Sequence, residues 1–97
     1  MRGLTVVLIS ADPARLASAL TLTASVSALG GQTRLYFDSE AVALLADADL
    51  SLAFDSGVVV IACQTGLSAG IALPDGVEAG GMVSLLADLC DDRLVTI

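Results

Sequence analysis

The chain has no histidine, lysine, asparagine or tryptophan, and all 4 of its basic residues are arginine, among 97 residues in total. Each absence removes a class of chemistry. Without histidine there is no imidazole acid–base catalysis, no Ser-His-Asp hydrolysis and no usual zinc site. Without lysine there is no Schiff base. The 11 acidic residues give a net charge of −7, a balance that repels nucleic acid and anionic membrane surfaces, so neither is an expected partner. Charge of either sign is scarce: 15% of residues are charged and 56% hydrophobic, against about 25% charged in typical domains. A surface with so few charges is expected to bury part of itself, and a homo-oligomer is the expected outlet. One long uncharged stretch, Leu16 to Thr33, carries three serines and four threonines or glutamines and ends beyond Gly30-Gly31. It is too polar for a spanning helix. Asp12-Pro13-Ala14-Arg15 likewise cuts short the apolar run Leu4–Ile9 before it resembles a signal peptide. A cytoplasmic protein with two free thiols, Cys63 and Cys90, is the resulting expectation.

What is present alternates between strand and helix signals. Leu4–Ile9 is a β-branched apolar run suited to a strand covered on both faces. Asp12-Pro13 supplies an N-cap and a first-turn proline for a helix to about Leu29, and Gly30 supplies its left-handed C-cap. Thr33–Phe37 reads as a second strand. A short helix through Val42, Leu44 and Leu45 follows, capped by Asp38 or Ser39. Asp47 to Ser56 reads as a frayed turn or loop. Val58 to Cys63 is the strongest strand, again apolar on both faces, followed by a short helix over Gly66–Ile71. Pro74-Asp75-Gly76 is a turn, Val77–Ala79 a short strand, and Gly80-Gly81 opens a last helix through Leu89, with a glycine turn needing positive φ. Leu94–Ile97 closes the chain as a strand. This order predicts one α/β domain over residues 1–97, with a parallel sheet and helices on both faces.

In such a sheet, chemistry belongs at the carboxyl ends of the strands. Three segments should meet there: Ser10-Ala11-Asp12, Asp38-Ser39-Glu40 and Cys63-Gln64-Thr65-Gly66. A pocket sharing Ser10, Asp12, Ser39, Gln64, Thr65 and Gly66 would surround Cys63, the candidate catalytic residue. From position alone Cys63 reads either as a nucleophile beside a helix start or as a small buried hydrophobe. A helix N-terminus contributes only about 0.3–1 kcal/mol to a neighbouring anion. A reactive Cys63 therefore needs further help, from several backbone N–H donors or from an arginine. Cys90, beside Asp91 and Asp92 at a helix end, is expected to be an inert packing residue. Gly66-Leu67-Ser68-Ala69-Gly70 matches the G-x-S-x-G nucleophile elbow, but the elbow serine needs a histidine, so Ser68 reads as an ordinary helix residue. Asp47-Ala48-Asp49 lacks the rest of a calcium loop, and no phosphate-binding glycine motif is present. No metal and no cofactor is expected.

The segment Val58-Val59-Val60-Ile61-Ala62-Cys63-Gln64-Thr65-Gly66-Leu67-Ser68-Ala69-Gly70-Ile71 resembles the cysteine-bearing segment of DsrE/DsrF-like proteins. Asp75-Gly76-Val77-Glu78-Ala79-Gly80-Gly81-Met82 is similar to that family's valine–acid–x–Gly-Gly stretch. The closing Arg93–Ile97 looks like its terminal strand. The resemblance implies a three-layer α/β/α fold with a sheet of about five parallel strands, and an oligomer. It also implies a sulfur-relay role in which Cys63 carries sulfane sulfur as a persulfide, exchanged with donor or acceptor proteins. With no lysine or histidine, Arg15 or Arg34 are the remaining cations that could steady a thiolate. The alternative is a non-catalytic subunit or small-ligand module with a buried, inert Cys63. A thiol peroxidase would further require Cys90 to resolve Cys63 across no more than about 7 Å between Cα atoms.

Overall fold

The structure is a computed structural model and describes residues 1–67 and 73–97. Its elements are β1 (Leu4–Leu8), α1 (Pro13–Ala28), β2 (Thr33–Phe37), a 3-10 helix (Ala41–Ala46), α2 (Ser51–Asp55), β3 (Val59–Cys63), α3 (Gln64–Leu67), β4 (Val77–Gly80), α4 (Met82–Ala87) and β5 (Arg93–Thr96). The five strands form one sheet in the order β4-β3-β2-β1-β5, and every pairing is parallel. Ser68 and the end of the helix expected over Gly66–Ile71 lie outside the described residues. None of the described helices is long and apolar enough to cross a membrane.

The first helix forms where local chemistry dictates. The Asp12 carboxylate accepts from the Ala14 N–H at 2.9 Å and Pro13 occupies the first turn. Gly30, at φ 94°, turns the chain out so that the Gly31 N–H donates to the Val26 carbonyl. The hydroxyls of Thr21, Thr23 and Ser25 donate back to the carbonyls of Ala17, Ala19 and Thr21. That lets a helix whose exposed face carries no charge beyond Arg15 satisfy its own polar groups.

Strand alternation divides the core in two. On one face Leu4, Val6, Leu8, Leu35, Phe37, Val60 and Ala62 pack with Leu16, Ala19 and Val26 of α1, the 3-10 helix and Ala53 of α2. On the other, Val7 and Tyr36 pack with Leu85 of α4, and Ile61, Cys63 and Met82 are half-buried against them. Helices cover both faces, but six-residue α4 covers the second only in part. Val59 and Leu94 are therefore 42% and 43% exposed, so β3 and β5 are not sheltered on both sides as their apolar sequences suggest.

Four local expectations are corrected. Residues 51–55 form α2 and are not loop, because Ala53 anchors that turn in the core at 0% exposure. The segment after β2 is a 3-10 helix with no side-chain cap; Asp38 contributes its carbonyl to the Val42 N–H instead, and Ser39 caps nothing. Gly80 and Gly81 do not have positive φ. Gly80 is needed for space, since a Cβ there would meet Cγ2 of Ile61 at 2.8 Å. The last helix ends at Ala87, and Cys90 is an exposed residue at φ 53°, not a packing residue.

Candidate functional site

Cys63 is the last residue of β3, and α3 begins at the next residue. It therefore stands at the N-cap position, where serine and aspartate side chains accept from the second and third helical N–H groups. Its sulfur does the same, accepting from the Thr65 and Gly66 N–H groups and from the Thr65 hydroxyl. Gly66 makes this approach feasible. A Cβ at that position would lie 2.8 Å from Cγ2 of Val42 and 3.0 Å from the Ser39 carbonyl oxygen.

The largest influence on the thiol comes from β2. Tyr36 pairs with Ile61 in register, so its side chain shares a face with Cys63 two residues further along β3. Its ring is 1% exposed, and its hydroxyl donates to the Cys63 sulfur. Tyr36, then Gly66 and Thr65, hold the Cys63 thiol below its ordinary range against the opposing effect of burial. Tyr36 moves the other way. Burial first, then donation to Cys63 and the charges of Cys63 and Asp38, push its hydroxyl well above the usual tyrosine range. A donor that itself resists ionisation thus stands beside a thiol whose anionic form it favours. The cradle is neutral throughout.

Arginine is not part of it. Arg34 is the second residue of β2, toward the far end of the sheet, where it donates to the Thr5 hydroxyl and the Asp88 carbonyl and pairs with Asp92 at 3.6 Å. Arg15 is exposed and lies 3.6 Å from Asp12. Of the other residues singled out in the sequence, Ser39, Thr65 and Gly66 converge at the start of α3 and Gln64 is exposed beside them. Asp12 is occupied as the cap of α1. Ser10 follows β1, two strands and about 10 Å across the sheet from Cys63; its hydroxyl oxygen is buried without a hydrogen-bond partner. Cys63 itself is half-buried. Cys90 precedes β5 at the amino edge, while Cys63 ends β3 at the carboxyl edge. A strand of five residues spans about 16 Å, too far for the two to bridge within one chain. The described residues contain no cluster of metal-ligating side chains.

Tyr36 is the residue that the sequence reading lacked. Its signal was the alternation of β2, which puts Arg34 and Tyr36 on one face and Leu35 and Phe37 on the other; the missing link was the β2–β3 register.

No protein-family model and no curated protein matches the sequence. Among solved structures, the crystal structure of the ychN protein from E. coli matches with a TM-score of 0.83 at 26% identity, covering 100% of both chains. With its five-stranded all-parallel sheet flanked by helices, the chain matches over its full length the structure of a protein of the DsrE/DsrF-like family.

Proposed function

We propose that the protein is a sulfur-relay component in which Cys63 accepts sulfane sulfur as a persulfide and hands it to an acceptor thiol. The carrying observation is the neutral cradle of Tyr36, Thr65 and Gly66, which favours the thiolate of a half-buried cysteine at the carboxyl edge. A sulfurtransferase-like step needs nothing more than such a nucleophile. The Cys63 thiolate attacks the outer sulfur of a donor persulfide. The donor's S–S bond breaks, a new one forms to Cys63, and the donor leaves as a thiolate with the proton count unchanged. The inert-subunit alternative requires an enclosed thiol, and partial exposure of Cys63 favours the carrier. A reduced thiol of this kind suits a cytoplasmic setting.

Mass spectrometry after exposure to an alkyl persulfide tests the reading. Wild-type protein and Cys90→Ser should each gain one sulfur atom, removable by reductant, and Cys63→Ser should gain none. Equal loading of Cys63→Ser would overturn the assignment.

A further inference from the structure

We infer that the amino edge of the sheet, opposite Cys63, holds a second site, which binds a small molecule through an α-ammonium group next to a neutral carbonyl. This site stands apart from the sulfur-carrier reading and uses none of its residues. It is a cavity of about 420 Å³ between β2, β3 and the turn after α4, with Gln32, Arg34, Gly57, Val59, Asp88 and Asp92 in its lining. That volume lies within the range of about 300–1,000 Å³ that small-ligand sites occupy.

Sheet register builds the floor. Arg34 pairs with Val59 in the parallel ladder, so the two side chains stand side by side on one face. The Arg34 side chain is 17% exposed and anchored on one edge of its guanidinium. Nε donates to the hydroxyl of fully buried Thr5, and Nη2 donates to the Asp88 carbonyl and lies 3.6 Å from Asp92. Nη1 has no partner among the described residues. A guanidinium carries five donors in a fixed fork, so this anchoring leaves N–H groups for an oxygen acceptor in the cavity that Arg34 lines. Asp88 is exposed, and among the described residues its carboxylate has neither a hydrogen bond nor an ion pair.

These groups select the ligand. One guanidinium beside two carboxylates leaves the cavity with a net negative charge, which favours a cation over an anion. An ammonium group meets the free Asp88 carboxylate, and a carbonyl oxygen accepts from Arg34 Nη1. Because Arg34 is bonded to the Asp88 backbone, the two charges are neighbours, and an amine one carbon away from a carbonyl spans them. A neutral carbonyl fits better than a carboxylate, since Asp92 already lies against the guanidinium. Val59, 42% exposed, offers apolar surface for a short aliphatic side chain, and Gly57 leaves the mouth open, with nothing within 4 Å of where its Cβ would stand.

The test is a nitrogen–proton correlation NMR titration of the full chain at about pH 6.5, below the α-amino range of about 7.7–8.0. The probes are L-valinamide, the tripeptide Val-Gly-Gly, N-acetyl-L-valinamide, which lacks the ammonium, and isobutylamine, which lacks the carbonyl. Valinamide should shift the amide signals of Arg34, Gly57, Val59 and Asp88 saturably at concentrations up to about 10 mM. The acetylated amide and the plain amine should each bind at least about tenfold more weakly. Tighter binding of Val-Gly-Gly would assign the site to a peptide's amino end, and equal or weaker binding to a small amide; either supports the shared chemistry. Asp88→Asn should weaken valinamide about tenfold, and Val59→Phe, which fills the cavity from an exposed position, should abolish its binding; the spectra themselves show that both variants are folded. No saturable shift, shifts that survive Val59→Phe, or acetylated amide binding as tightly as valinamide would each overturn the site.

Discussion

Removing the Tyr36 hydroxyl isolates the strongest contact in the site. Tyr36→Phe keeps a ring that is 1% exposed and packed against Val7 and Leu85, and deletes the donor to Cys63. A hydrogen bond to a charged group contributes about 1.5–3 kcal/mol. The lower end applies here, because the sulfur is partly exposed and water replaces part of what is lost. At about 1.4 kcal/mol per factor of ten, the thiolate fraction at neutral pH should fall about tenfold. The reaction rate should fall by less. A more basic thiolate is a better nucleophile, with a Brønsted coefficient of about 0.4–0.5, so each remaining thiolate reacts roughly threefold faster. The net expectation is alkylation by iodoacetamide about threefold to fourfold slower at neutral pH. Above the thiol range, where both proteins are ionised, the variant should become the faster of the two. The two pH–rate profiles should therefore cross. Superimposed profiles would refute the coupling between Tyr36 and Cys63, and a uniform fall at every pH would mean that the substitution had damaged the fold.

Other expectations follow from the same geometry. Gly66→Ala must displace Val42 or the Ser39 carbonyl, at 2.8 and 3.0 Å from the new methyl; it should cost about 1–3 kcal/mol in denaturant unfolding and slow Cys63 alkylation by moving the Gly66 N–H. Because the Tyr36 hydroxyl is raised above its unfolded value of about 10, its share of stability is present below that pH and is lost as pH rises above it. Urea midpoints should thus decline on the alkaline side, and Tyr36→Phe should flatten the decline. Asp12→Ala removes the α1 cap and should lower stability by about 1 kcal/mol, with Cys63 reactivity unchanged; unchanged melting would contradict the cap. A homo-oligomer is expected in solution, given a second sheet face that leaves Val59 and Leu94 exposed and an α4 whose Val83 is 84% exposed. Light scattering that returned a monomer at micromolar concentration would contradict it.

The parts legible in the sequence are those fixed by local chemistry. Asp12-Pro13 and Gly30 delimit α1 because a cap and a left-handed glycine act within a few residues of themselves. Thr33–Phe37 stands where its β-rich composition puts it. Ser51–Asp55 is closed by Gly57 at φ 78°, with the Val58 N–H donating to the Ala53 carbonyl, but so short a helix with no side-chain N-cap also depends on Ala53 packing into the core, a tertiary effect. The carboxyl-edge location of Cys63 follows from strand order alone. Its neutral cradle does not, since the Tyr36 contact depends on which strand lies beside β3 and in what register. Arg15 and Arg34 are the cations the sequence offers to steady the thiolate, yet the fold commits both to carboxylates elsewhere.

The most direct test of the account is an ultraviolet titration of the Cys63 thiolate in Cys90→Ser protein, read as thiolate absorbance against pH. Cys63 should ionise below the ordinary thiol value of about 8.5, and Tyr36→Phe should move that titration upward. A Cys63 that ionises at or above the value for a free cysteine, with or without the Tyr36 hydroxyl, would contradict the account.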